Sequence, residues 1–228
     1  MNPLIVALDF QCAEDARELV TRLGGRISFY KVGLELFTSA GPGFVRELVG
    51  EGKDVFLDLK LYDIGETVKR TVARIGSLGA RLATIHGTAR SMMRAAVDGR
   101  GESGLKLLAV TALTSFDQSD MADLGYSCTV EELVSLRVRM AMDAGIDGIV
   151  CSPLEVAAVR ALAGADAVLV TPGVRSAGAS KGDQKRVATP AEALRNGANY
   201  LVIGRQITRA ADPAAEAERL LDEIAAAP

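Results

Sequence analysis

The sequence predicts a (β/α)8 barrel, folded as one domain over residues 1–228, on three observations. Eight short apolar runs alternate with eight helix-like segments along the whole chain, at a mean spacing of about 28 residues. The apolar runs are nearly continuous, as parallel strands covered on both faces should be. No break in composition separates one part of the chain from another. A doubly wound open sheet is the structural alternative. It needs a glycine-rich dinucleotide turn after the first strand, and Leu8-Asp9-Phe10-Gln11-Cys12 contains no glycine.

Taken in order, the predicted strands cover residues 4–9, 27–33, 55–60, 81–86, 105–111, 148–151, 167–170 and 200–203. The predicted helices cover 13–23, 43–49, 66–78, 90–97, 130–143, 154–162, 191–196 and 214–225. Several helix starts carry local signals. Thr129 precedes Glu131 and Glu132, Ser152 precedes Pro153, and Thr189 precedes Pro190 with Glu192 in the first turn.

Composition sets the class. The chain is 49% hydrophobic and 24% charged, enough apolar material for a sizeable core. A net charge of −3 with no basic stripe gives no reason to expect nucleic acid as a partner. Three scattered cysteines, Cys12, Cys128 and Cys151, form neither a disulfide framework nor a metal-ligand cluster. The first residues lack the basic and apolar regions of a signal peptide, and no apolar run approaches the roughly 18 residues needed to cross a bilayer. The expectation is a soluble cytoplasmic protein without a membrane partner.

In such a barrel, function sits at the C-terminal ends of the strands. Strand alternation puts Asp9 on the face of Ile5 and Ala7, Lys31 on the face of Phe29, and Asp58 beside Lys60. Three successive strands thus deliver Asp, Lys, Asp and Lys to one end, with Asp63 just beyond. A single buried ion pair is often structural. Four charges at matching positions point instead to chemistry, because desolvating that many rarely adds stability.

The loops after strands seven and eight have a different character. Thr171-Pro172-Gly173-Val174-Arg175 leads into residues 176–185, rich in Gly, Ser, Ala and Lys, and Gly204-Arg205 follows the last strand. Such loops frequently hold a phosphate, with Gly204 allowing close approach and Arg205 offering a planar fork. The long loop reads either as mobile surface or as a lid over a ligand. Leu113-Thr114-Ser115 after strand five offers a hydroxyl to a polar ring or, equally, a turn. The single histidine, His86, ends strand four and reads as a packed residue outside the chemistry.

Together these segments resemble the orotidine 5′-monophosphate decarboxylase family. Asp58-Leu59-Lys60-Leu61-Tyr62-Asp63-Ile64 is similar to its Asp-x-Lys-x-x-Asp signature. Ala7-Leu8-Asp9, Tyr30-Lys31-Val32-Gly33, Leu113-Thr114-Ser115, Thr171-Pro172-Gly173-Val174-Arg175, Gln184 and Ile203-Gly204-Arg205 follow in the family's order. Metal-dependent 3-keto-gulonate 6-phosphate decarboxylases and hexulose phosphate synthases share the signature, but carry a metal-binding glutamate where this chain has Lys31. Gly65, often proline in the family, and Gly87-Thr88-Ala89 depart from the common pattern without removing a charge.

The resemblance implies cofactor-free, metal-free conversion of orotidine 5′-monophosphate to uridine 5′-monophosphate (UMP) and CO2, the last step of pyrimidine nucleotide synthesis. It implies that Lys60 donates the proton that replaces the carboxylate, with Asp58 against that carboxylate. Lys31 and Asp63 complete the charge array, and Asp9 with Lys31 contacts the ribose. Thr114 would meet the pyrimidine, and Gln184, Gly204, Arg205 and Arg175 the phosphate. It further implies a homodimer, with Asp63 and Thr67 reaching into the site of the other subunit.

Overall fold

A computed structural model of the chain describes residues 2–113, 116–176 and 188–226. The strands are β1 (Leu4–Leu8), β2 (Phe29–Gly33), β3 (Asp54–Leu61), β4 (Leu82–His86), β5 (Lys106–Val110), β6 (Gly148–Val150), β7 (Val168–Pro172) and β8 (Tyr200–Ile203). All neighbours pair in parallel, and β8 pairs with β1 to close an eight-stranded barrel. The α-helices are α1 (Ala13–Leu23), α2 (Leu34–Gly50), α3 (Gly65–Ser77), α4 (Arg90–Arg100), α5 (Gln118–Asp123), α6 (Val130–Asp143), α7 (Val156–Ala163), α8 (Pro190–Arg195), α9 (Arg205–Thr208) and α10 (Pro213–Ala225). The predicted fold class is the observed one.

Alternation along the strands divides the core in two. Leu4, Val6 and Leu8 of β1, Tyr30 and Val32 of β2, and Leu201 and Ile203 of β8 face outward beneath the helices. Ile5, Ala7, Phe29, Phe56, Leu82, Leu108, Val170, Tyr200 and Val202 form a separate cluster that fills the barrel interior. The N-terminal end of the barrel is closed. There Tyr200 packs edge-on against Phe29 at 5.3 Å, and Arg81 stacks over Phe29 while bonding Asp54 and the Tyr200 hydroxyl. Among the described residues, side chains therefore plug one end, and the polar groups line the other.

Two of the three signalled starts cap helices as expected. The Thr129 and Thr189 hydroxyls accept the amides of Glu132 and Glu192, whose carboxylates return a bond to the cap amide. Ser152 does not cap. Its hydroxyl accepts the Leu154 amide in a turn, and α7 begins only at Val156. The second helix is longer than predicted, starting at Leu34 and breaking at Gly41, where φ is +67° before Pro42. Its first half hides from pattern reading because Leu34 is exposed while Leu36 is buried. The short α5 was not predicted, although Asp117 and Asp120 form a capping box there. Neither was α9.

Candidate active site

The barrel mouth gathers the charges that alternation places there. The Lys31 ammonium lies 2.8 Å from an Asp9 oxygen and 3.8 Å from an Asp58 oxygen. Lys60 Nζ donates to both Asp58 oxygens at 2.9 Å. The order in space is Asp9, Lys31, Asp58, Lys60, alternating in sign. Burial grades along the series: the Asp58 and Lys31 side chains keep 14% and 12% of their surface, Lys60 31% and Asp9 57%. The array is thus buried at its middle and more open at both ends, and the middle pair owes its burial to mutual compensation.

The strands place these groups by two devices. Gly33 pairs in register with Asp58 and lies beyond Lys31 on the same inward face. A Cβ on Gly33 would stand 3.0 Å from Lys31 Nζ and 3.3 Å from Asp9 Oδ1. The missing side chain is the space into which the ammonium reaches. The second device is a bulge in β3. Pairing with β4 shifts from Leu57↔Ala83 to Leu61↔Ile85, so residues 58–60 lie opposite Thr84 alone. Within the bulge Lys60 adopts φ +49°, the one left-handed non-glycine among the described residues. Its backbone N–H, taken off the ladder, donates to Thr84 Oγ1 at 2.8 Å.

One cavity is lined by Asp9, Lys31, Asp58 and Lys60 on one side and by Pro172, Gly173, Arg175, Gly204 and Arg205 on the other. Ala112 and Leu113, after β5, complete its wall. The two halves predicted from sequence, a charged array and a phosphate side, thus share one space. Arg175 is 9% exposed, and one of its donors bonds the Val174 carbonyl.

Two predicted residues are not brought in by their own chain. Asp63 is exposed and accepts the amide of Ile64 at 2.7 Å, and neither it nor Thr67 lines the cavity. Within one chain Asp63 therefore does not complete the array, because the chain turns outward after Leu61 into α3. Thr114 and Gln184 lie outside the described residues, as does most of the predicted lid. His86 lies outside this cavity, edge-on to Tyr62 at 5.6 Å. Burial foremost, then the charges of Arg137 and Lys60, hold its imidazole below the ordinary value of 6.5.

Sequence reading missed Thr84 and the spatial role of Gly33. A threonine inside Leu82-Ala83-Thr84-Ile85 reads as a strand former, and only the bulge, a tertiary feature, makes its hydroxyl matter. Gly33 carried a usable signal: a residue without a side chain, two positions after a lysine on the same strand face.

Comparison with known proteins places this geometry. Residues 2–220 match the family model described as "Orotidine 5'-phosphate decarboxylase / HUMPS family". The chain is 51% identical over 224 residues to an orotidine 5'-phosphate decarboxylase of Rhodopseudomonas palustris, covering 98% of this chain and 95% of the relative. The protein of that name from Nitrobacter winogradskyi is 51% identical over 222 residues, covering 97% and 92% of the two chains. The crystal structure of orotidine 5'-phosphate decarboxylase from Lactobacillus acidophilus superposes with a TM-score of 0.88 at 36% identity, over 99% of this chain and 100% of that one. With its closed parallel barrel and its paired Asp-x-Lys residues at the mouth, this chain belongs to the orotidine 5'-phosphate decarboxylase / HUMPS family.

Proposed function

We propose that the chain, working as one barrel domain, decarboxylates orotidine 5′-monophosphate to UMP and CO2 in pyrimidine nucleotide synthesis. The relatives at about half identity carry that activity in their names. The observation that carries the mechanism is the alternating series Asp9, Lys31, Asp58, Lys60 lining one cavity with Arg175 and Arg205.

Breaking the bond between pyrimidine C6 and its carboxylate leaves an electron pair in the ring plane, where the π system cannot spread it. A fixed cation aimed at C6 stabilises that pair electrostatically. Lys60 supplies the cation and then its proton, forming the C6–H bond and leaving a neutral amine for solvent to reprotonate. Asp58 holds the ammonium and faces the departing carboxylate. Asp9 and Lys31 meet the ribose hydroxyls. Arg175, Gly204 and Arg205 receive the phosphate, joined in this reading by Gln184, with Thr114 against the ring. Binding energy from the remote phosphate then contributes to aligning the reacting end.

A homodimer belongs to the same proposal. Asp63 stands outside its own cavity between Tyr62 and Ile64, apolar side chains 67% and 72% exposed. Such a rim suits burial against a second copy, which would bring Asp63 and Thr67 to the partner's substrate. A cytoplasmic setting is also part of the reading. Its support is three free cysteines and, among the described residues, no helix long and apolar enough to cross a membrane.

The metal-dependent branch of the family is the weaker reading here. The Lys31 ammonium occupies the ground between Asp9 and Asp58, where a divalent cation would face a like charge. The test is loss of orotidylate ultraviolet absorbance, with and without chelator. Equal turnover in both is expected; no turnover, or turnover abolished by chelator, overturns the proposal. Lys60→Ala is expected to lose at least about a thousandfold in kcat while still binding UMP, measured by calorimetry. Near-normal turnover by that variant would refute the proton donor.

A further inference from the structure

Thr84 is completely buried on β4, opposite the bulge that carries Lys60. Its hydroxyl has two partners, and their chemistry fixes its orientation. The Lys60 amide can only donate, and it does so to Thr84 Oγ1 at 2.8 Å. The Asp58 carboxylate can only accept, and Thr84 Oγ1 lies 2.9 Å from Asp58 Oδ1. One hydroxyl therefore ties the backbone of the lysine to the side chain of the aspartate. The same two residues meet again at the other end of the lysine, where Nζ contacts both Asp58 oxygens. Thr84 closes a ring of hydrogen bonds around the reacting group.

The backbone gives this ring a task. Lysine in the left-handed region is strained, and nothing in the β3–β4 ladder holds Lys60 there, because the register has already shifted. The Thr84 hydroxyl takes the place of the missing ladder acceptor. We propose that Thr84 is a positioning residue for the decarboxylation. It fixes the left-handed Lys60 backbone and the Asp58 carboxylate together, so that the ammonium is aimed into the cavity before substrate arrives. The inference rests on the proposed activity and adds to it a residue that touches no substrate.

Thr84→Val keeps the shape and removes both bonds, whereas Thr84→Ser keeps both bonds and removes a methyl. For Thr84→Val, kcat is expected to fall about a hundredfold, as for a misplaced catalytic group, with KM and calorimetric UMP affinity within about threefold of wild type. Thr84→Ser is expected to stay within about threefold in kcat. A crystal structure of Thr84→Val should show the Lys60 φ moved out of the left-handed region, a readout that needs no activity. A valine variant with near-normal kcat overturns the proposal. So does a serine variant that loses about a hundredfold in kcat, whether or not the valine variant folds. If the wild-type chain does not consume orotidylate, the proposed function fails first. In that case an unchanged Lys60 backbone in Thr84→Val would separately end the positioning claim.

Discussion

Gly33 has φ −94°, a backbone angle open to any residue, so the space it leaves explains it better than flexibility does. That distinction separates the two kinds of information at the site. The charged residues were legible because strand alternation alone assigns Asp9, Lys31, Asp58 and Lys60 to one face. Gly33 and Thr84 were not, since their parts depend on what neighbouring strands bring beside them. His86 shows a third case, a titratable group whose behaviour follows from burial. Its folded-state value lies below the ordinary 6.5, so the unfolded chain takes up a proton first as pH falls. The stability it contributes is present above about pH 6.5 and is lost as pH falls through the folded value. His86→Gln should therefore flatten the dependence of the urea midpoint on pH between about 7 and 5. Parallel pH curves for the two proteins would show that His86 has no part in it.

At the scale of elements, the strands were easier to read than the helices. Four-to-eight-residue apolar runs between breakers admit few alternatives, whereas α5 and the first half of α2 are too short or too evenly apolar to show a face. The β3 bulge was invisible for another reason: Phe56-Leu57-Asp58-Leu59-Lys60-Leu61 alternates as an unbroken strand would, and the irregularity resides in its pairing with β4. Helix packing also depends on a residue that no hydrophobic pattern marks. A Cβ on Gly99 of α4 would stand 2.1 Å from the Lys69 carbonyl oxygen of α3, a clash of side chain with backbone. Gly99→Ala must push the two helices apart, at a cost of about 3 kcal/mol. Its melting temperature should fall by roughly 10 °C, with kcat of the folded protein little changed. An unshifted melting curve would mean that the helices have slack at this contact.

For the whole molecule, a closed barrel was predictable because eight similar units leave few other ways to bury their strands. The proposed pairing of two copies is of another kind, because the exposed surfaces of Tyr62 and Ile64 acquire a role only against a second chain. If those side chains seat a second subunit, Ile64→Arg should give a monomer by sedimentation, and turnover should fall with it because Asp63 and Thr67 lose their target. A fully active monomer would refute the shared site.

The plugged lower end of the barrel, where Arg81, Asp54, Phe29 and Tyr200 interlock, makes the interior a cul-de-sac. Among the described residues, traffic to Lys60 has one doorway, the barrel mouth. On the proposed chemistry, the incoming nucleotide, the departing gas and the finished nucleotide all pass through it in turn. Anything that obstructs that doorway slows exit as surely as entry.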